Sequence, residues 1–117
     1  MNELDIPILK KSFELYKTFH ESRKGVPKSD RFSIYERAEN IILALIELLI
    51  EAGYVTRTNK LTSLERASIK LNTLRLLVRL MKESRTFDTK KYVTLQEIID
   101  EIGRMLGGWI RSTGVTR

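Results

Sequence analysis

A repeated spacing of apolar residues constrains this chain more than any other feature. Ile34, Ala38, Ile41, Leu45, Leu48 and Ala52 stand 4, 3, 4, 3 and 4 residues apart. Leu64, Ala67, Leu71, Leu74, Val78 and Met81 follow at 3, 4, 3, 4 and 3, and the same series recurs at Tyr92, Leu95, Ile99, Ile102, Leu106 and Trp109. Spacing of this kind holds an apolar stripe on one side of an α-helix for about five turns. It is also the seam along which helices pack close to antiparallel. No useful length of the chain alternates with period two, so a sheet is not expected.

A fourth stripe precedes these three. Leu9, Phe13 and Tyr16 share one line, widened by Ile8, Leu15 and Phe19. A first helix is expected over about residues 6–22, capped by Asp5, with Pro7 in its first turn where no N–H is needed. Gly25 and Pro27 break the pattern, and a short helical turn is expected at Ser29–Phe32. The second helix is placed at about 33–53, between the capping box Ser33-Ile34-Tyr35-Glu36 and a stop at Gly53. The third is placed at about 62–85, opened by the box Thr62-Ser63-Leu64-Glu65, and the fourth at about 89–112. Gly103, Gly107 and Gly108 are costly inside that last helix and suggest close approach of another backbone. The fold class that follows is all-α: an antiparallel up-down four-helix bundle in one domain over residues 1–117.

The third helix carries more apolar surface than one bundle uses. Ile69, Leu76, Leu77 and Leu80 fall on the side opposite its core stripe at about 100° per residue, and Arg75, Arg79 and Lys82 form a basic strip along one flank. A second apolar face on a small chain points to a partner, and self-association is the first expectation; packing beneath a 54–62 loop is the alternative. The strip belongs to a charged window. Residues 57–91 hold ten basic and three acidic side chains, a net of +7 in a chain whose net charge is +6. Such a field attracts polyanions; a solvated helix face is the plainer reading.

Catalytic chemistry lacks its parts. There is no cysteine, and His20 is the single histidine. Thiolate chemistry, disulfides, multi-histidine metal sites and di-iron bundles are excluded. His20 is expected at the surface or partly packed. Glu97, Asp100 and Glu101 cluster on the fourth helix and are expected to be solvated or paired with bases. No phosphate loop is present. The expectation is no enzyme, no cofactor, no metal and no small-molecule substrate. Phe32, Tyr35, Tyr54, Phe87 and Tyr92 lie near helix ends; packing is expected for most and base stacking for some. Trp109 is expected in the core. The longest apolar stretch, 41–50, is about half a bilayer span and carries Glu47, so a cytoplasmic protein without a membrane segment is expected.

Several segments resemble a known family. Asp100-Glu101-Ile102-Gly103-Arg104-Met105-Leu106-Gly107-Gly108-Trp109-Ile110-Arg111-Ser112 is similar to the C-terminal signature of the accessory variability determinant (Avd) proteins of diversity-generating retroelements. Val26-Pro27-Lys28-Ser29-Asp30-Arg31-Phe32 resembles the Pro-Lys-x-(Glu/Asp)-Arg-(Phe/Tyr) lead-in to their second helix, and 41–52 and 71–80 resemble the bodies of their second and third helices. The wider relatives are four-helix proteins encoded in 23S rRNA intervening sequences. Arg57-Thr58-Asn59-Lys60-Leu61 matches no motif of the family.

The resemblance implies a homopentameric barrel with a strongly basic surface. It implies binding to the retroelement's reverse transcriptase and to RNA, as template and as RNA/DNA hybrid, in support of mutagenic cDNA synthesis. Arg75 and Arg79 align with basic positions of the family's third helix, and Lys82 continues their strip. Arg104 and Arg111 lie in the C-terminal signature, and Arg31 and Arg37 are further candidates for contact. Two alternatives stay open: an rRNA intervening-sequence protein, and a structural helical adaptor that binds a protein partner through Ile69, Leu76, Leu77 and Leu80.

Overall fold

The computed structural model describes the backbone of residues 5–114 and the side chains from Pro7 to Gly114. Four long helices are joined in chain order: α1 (Asp5–Glu21), α3 (Ile34–Tyr54), α4 (Arg57–Glu83) and α5 (Thr89–Gly114). A 3-10 turn (Ser22–Gly25) and a one-turn helix α2 (Lys28–Arg31) lie between α1 and α3. No strand occurs among the described residues. Helix α3 packs on α1 and α4, and α5 packs on α4 and α1, so each long helix has its chain neighbours beside it and α1 closes the ring on α5. Short connections make the neighbours antiparallel. The result is an elongated up-down bundle, 47 × 22 × 19 Å. The expected cap at Asp5 lies outside the described side chains.

The seams of α4 and α5 lie where their spacing places them. Leu64, Ala67, Leu71, Leu74, Val78 and Met81 are all buried, as are Leu95, Ile99, Ile102, Leu106 and Trp109. Ile98 joins that core, and Tyr92 is half-buried at its edge. On α1 the core line is Ile8, Ser12, Leu15 and Phe19. Phe13, expected on the stripe, is 49% exposed. Ser12 sits in the core because its hydroxyl donates to the Ile8 carbonyl (2.8 Å), which satisfies a group that hydropathy alone would place outside.

Helix boundaries differ from the sequence reading, most of all at the start of α4. Helix α4 begins at Arg57, so the 54–62 segment is not a loop. Arg57 Nε and Nη2 donate to the Thr113 carbonyl at 3.1 and 3.0 Å, and the Lys60 ammonium lies 5.9 Å from the Trp109 ring centre. These contacts fix the extra turn against the end of α5. Thr62-Ser63-Leu64-Glu65 is therefore helix interior, and buried Ser63 donates to Glu51 of α3 instead of capping. Gly53 likewise lies inside α3, which ends at Tyr54. At the other end of α3, Ser33 precedes the helix but makes no side-chain cap; its hydroxyl donates to the Ser29 carbonyl.

Aromatic packing fastens the end of the bundle where α1, α3 and the α4–α5 turn meet. Phe19 stacks on Tyr35 (4.6 Å between ring centres) and meets Phe87 edge-on (5.8 Å). The Tyr35 hydroxyl donates to the Phe19 carbonyl (2.7 Å), and burial pushes its pKa up to about 12. An unfolded tyrosine ionises near about pH 10. The stabilisation is therefore complete below that pH and is lost as pH rises toward 12, because the unfolded chain releases the proton first. Urea unfolding of the native protein is expected to show falling stability across this window. Tyr35→Phe should flatten that fall and cost about 1 kcal/mol at neutral pH, for the lost hydrogen bond. An unchanged alkaline slope in the variant would refute the assignment.

Candidate nucleic-acid interface

The outward side of α4 is built by the same periodicity that builds its core. With the buried stripe turned inward, Ile69, Leu76 and Leu80 are left 65%, 67% and 48% exposed. Leu77, expected with them, is half-buried and packs against the core, so the outer apolar face is Ile69, Leu76 and Leu80. With α4 already helical from Arg57, no loop among the described residues covers this face. Beside it, a groove between α3 and α4 is lined by Glu47 and Glu51 on one wall and Arg66, Ile69 and Lys70 on the other.

The basic strip divides into held and available cations. The Arg75 guanidinium pairs with Asp100 across the α4–α5 contact and lies against Gly103: a Cβ there would come within 3.2 Å of Nη2. Gly103 thus makes room for a side chain and not, as the sequence suggested, for a backbone. Gly107 does the same for Arg111 of its own helix, where a Cβ would come within 3.3 Å of Nη1, whereas a Cβ at Gly108 would make only an ordinary contact. Among the described residues Arg79 pairs with Glu83 one turn on (3.2 Å), with both side chains well exposed. Such a pair is worth about 0–1 kcal/mol, so an incoming phosphate can displace it. Lys82 lies over the Tyr92 ring (5.0 Å) at the end of the strip. Arg104 is exposed on α5 beside a cleft shared with Arg75, Asn72 and Gly107.

The remaining candidates lie elsewhere. Arg31 Nε donates to the Val26 carbonyl (3.1 Å) and Nη2 to that of Lys24 (3.5 Å), so this side chain ties down the α1–α3 connection. Arg37 is exposed on the first turn of α3. The acidic cluster of α5 is largely paired: Asp100 with Arg75, and Glu101 with Lys11 at 2.9 Å. His20 is exposed, 3.2 Å from Glu39 and stacked on Tyr16. Phe32, a base-stacking candidate from the sequence, and Arg85 show features that sequence reasoning did not give. Exposed Phe32 is covered on one side by Arg23 (5.5 Å to the ring centre), and Arg85 holds a left-handed backbone, φ 65°. A Gly-free helix end gave no sign of the second.

The arrangement can bind anions along α4 and at the α4–α5 turn, and can bury apolar surface against a partner. Among the described residues no helix is long and apolar enough to cross a membrane. No curated protein matches the chain. A sequence model described as bAvd-like matches residues 7–113, nearly its whole length, and the chain belongs to the bAvd-like family.

Proposed function

We propose that this chain is a non-enzymatic accessory protein of a diversity-generating retroelement. It assembles as a homopentamer, binds the reverse transcriptase and template RNA through a basic surface, and supports mutagenic cDNA synthesis. The observation that carries the reading is the exposed side of α4, where an apolar face and displaceable cations lie on one helix, in a chain of the bAvd-like family. Closure of several copies on Ile69, Leu76 and Leu80 repeats the strip around a symmetry axis. Five copies carry five times +6, a net of +30. The mechanism is positional: clustered cations neutralise phosphates and hold polymerase and template together, so affinity falls steeply with salt.

The test is capture of tagged protein from its native host at moderate salt, with identification of the protein and RNA that follow it. A reverse transcriptase with a short non-ribosomal RNA is expected. The variant Arg79→Ala/Lys82→Ala should recover at least about tenfold less of both, because each lost phosphate contact is repeated in every copy. Its helix signal and oligomer mass should not change. Ribosomal RNA fragments alone, or a protein partner without RNA, would overturn the proposal.

A further inference from the structure

The two connections at one end of this bundle are basic. Residues 22–33, which join α1 to α3, hold Arg23, Lys24, Lys28 and Arg31 against Asp30. Residues 82–91, which join α4 to α5, hold Lys82, Arg85, Lys90 and Lys91 against Glu83 and Asp88. Together they carry eight basic and three acidic groups, a net of +5, so the rest of the chain sums to +1. The two connections are one surface: Thr86 Oγ1 donates to Asp30 Oδ2 (2.9 Å), and Phe87 is packed on Phe19 beneath them. Each acid of the two connections has an internal partner, while Glu21 at the end of α1 lines a cleft with Arg23, Lys24 and Arg31. Asp30 takes the Thr86 hydroxyl, Asp88 caps α5 by accepting from the Lys91 N–H (2.8 Å), and Glu83 pairs with Arg79.

Phe32 stands within this field. It is 75% exposed and belongs to no buried cluster. Arg23 lies over one side of its ring, and the connection that carries both is fixed by the Arg31 bonds to Val26 and Lys24. An aromatic ring backed by a guanidinium and surrounded by cations is suited to stack an unpaired base while its flanking phosphates meet Lys24 and Lys28. A base within a duplex has no free face to offer. A second copy of the same end is repelled, +5 against +5, and a single aromatic gives little apolar area for a membrane surface.

A second observation concerns Arg85. The Thr86 N–H bonds the Met81 carbonyl (2.8 Å) and the Arg85 N–H bonds that of Lys82 (3.1 Å), the pattern of a Schellman ending with Arg85 at the left-handed position. Glycine is the unstrained residue there. Arginine sets a charge at the price of backbone strain, beside the threonine that joins the two connections.

We infer that the α1–α3 and α4–α5 connections form a docking surface for single-stranded nucleic acid, with Phe32 as the base-stacking platform and Arg23, Lys24, Lys28 and Arg85 as phosphate contacts. This surface adjoins the α4 strip at Lys82, which is not among its phosphate contacts, and stands without the reverse-transcriptase reading.

The test is fluorescence anisotropy with a labelled oligouridylate of about a dozen nucleotides and a duplex of equal length, on the full chain. Phe32→Ala should weaken the single strand about 5- to 50-fold and the duplex less than about twofold, with an unchanged melting temperature; Phe32→Tyr should restore binding. In Phe32→Trp the added fluorescence should be quenched by the oligonucleotide. Arg85→Gly should melt about 2–5 °C higher and bind the single strand more weakly, with a salt slope smaller by about one. The proposal is overturned if Phe32→Ala binds the single strand like the native protein, if single strand and duplex weaken equally, or if Phe32 serves only binding to anionic vesicles or to a protein. Loss of polymerase capture in Arg79→Ala/Lys82→Ala with the Phe32 effect intact leaves it standing, so the two readings fail separately.

Discussion

Leu76→Asp and Leu80→Asp, introduced together, should leave a folded monomer. Both side chains lie mostly outside the bundle, and their inner neighbours Leu74, Val78 and Met81 fill the core without them. Replacing exposed helical leucines with aspartate costs about 0.5 kcal/mol each in helix propensity, so the protomer should lose about 1 kcal/mol. Association is affected far more. An ionised carboxylate carried into an apolar contact costs several kcal/mol, and two of them in every copy should lower the association constant by more than about 10³-fold. Light scattering should report an assembly mass for the native protein and the protomer mass for the variant at the same concentration, with circular dichroism unchanged. An unchanged assembly mass in the variant would place the interface elsewhere and leave the apolar face of α4 to another partner.

The reach of the sequence differed between helices for identifiable reasons. In α4 and α5 the apolar residues fall on an uninterrupted spacing, and every position of the α4 seam is buried. In α1 the true line runs through Ser12, whose hydroxyl is satisfied within its own helix, so Phe13 took the place of a polar residue that hydropathy could not credit. The start of α4 was hidden because Arg57 and its acceptor Thr113 are 56 residues apart, while the local Thr62–Glu65 box looked like a cap.

The candidate site shows the same division. That Arg75, Arg79 and Lys82 share a flank follows from helical geometry. Which of them is held does not, because it depends on Asp100 and Gly103 on another helix. Arg31 is a case in point: its motif marks it as notable, and only the folded connection shows that its hydrogen bonds go to backbone. The exposed pairing of Phe32 with Arg23 and the strained backbone of Arg85 likewise depend on how two connections meet at one end. Patterning locates the helices and their buried faces, while the availability of each charge is a tertiary property.

The sharpest contrast between the two levels lies within α1. Phe19→Ala should destabilise the protein by about 3–5 kcal/mol, whereas Phe13→Ala should change stability by no more than about 0.5 kcal/mol. Phe19 is fully buried, and its loss removes both the stack on Tyr35 and the edge contact with Phe87. The cavity lies where three chain segments meet and cannot close without moving a helix, which places the cost in the upper part of the range. With a typical domain stable by about 5–15 kcal/mol, such a loss is a large fraction of the whole. In urea the midpoint should fall by about 2 M for Phe19→Ala and stay in place for Phe13→Ala. Because Phe87 adjoins Thr86, and Thr86 holds Asp30, the same cavity should loosen the basic end. Phe19→Ala should therefore also lose protection of the Thr86 and Phe87 amides from hydrogen exchange at temperatures where the α4 seam is still protected. Equal destabilisation by the two alanines would mean that Phe13 is buried in the protein as it exists in solution, and that the core line of α1 is the one its hydropathy suggests.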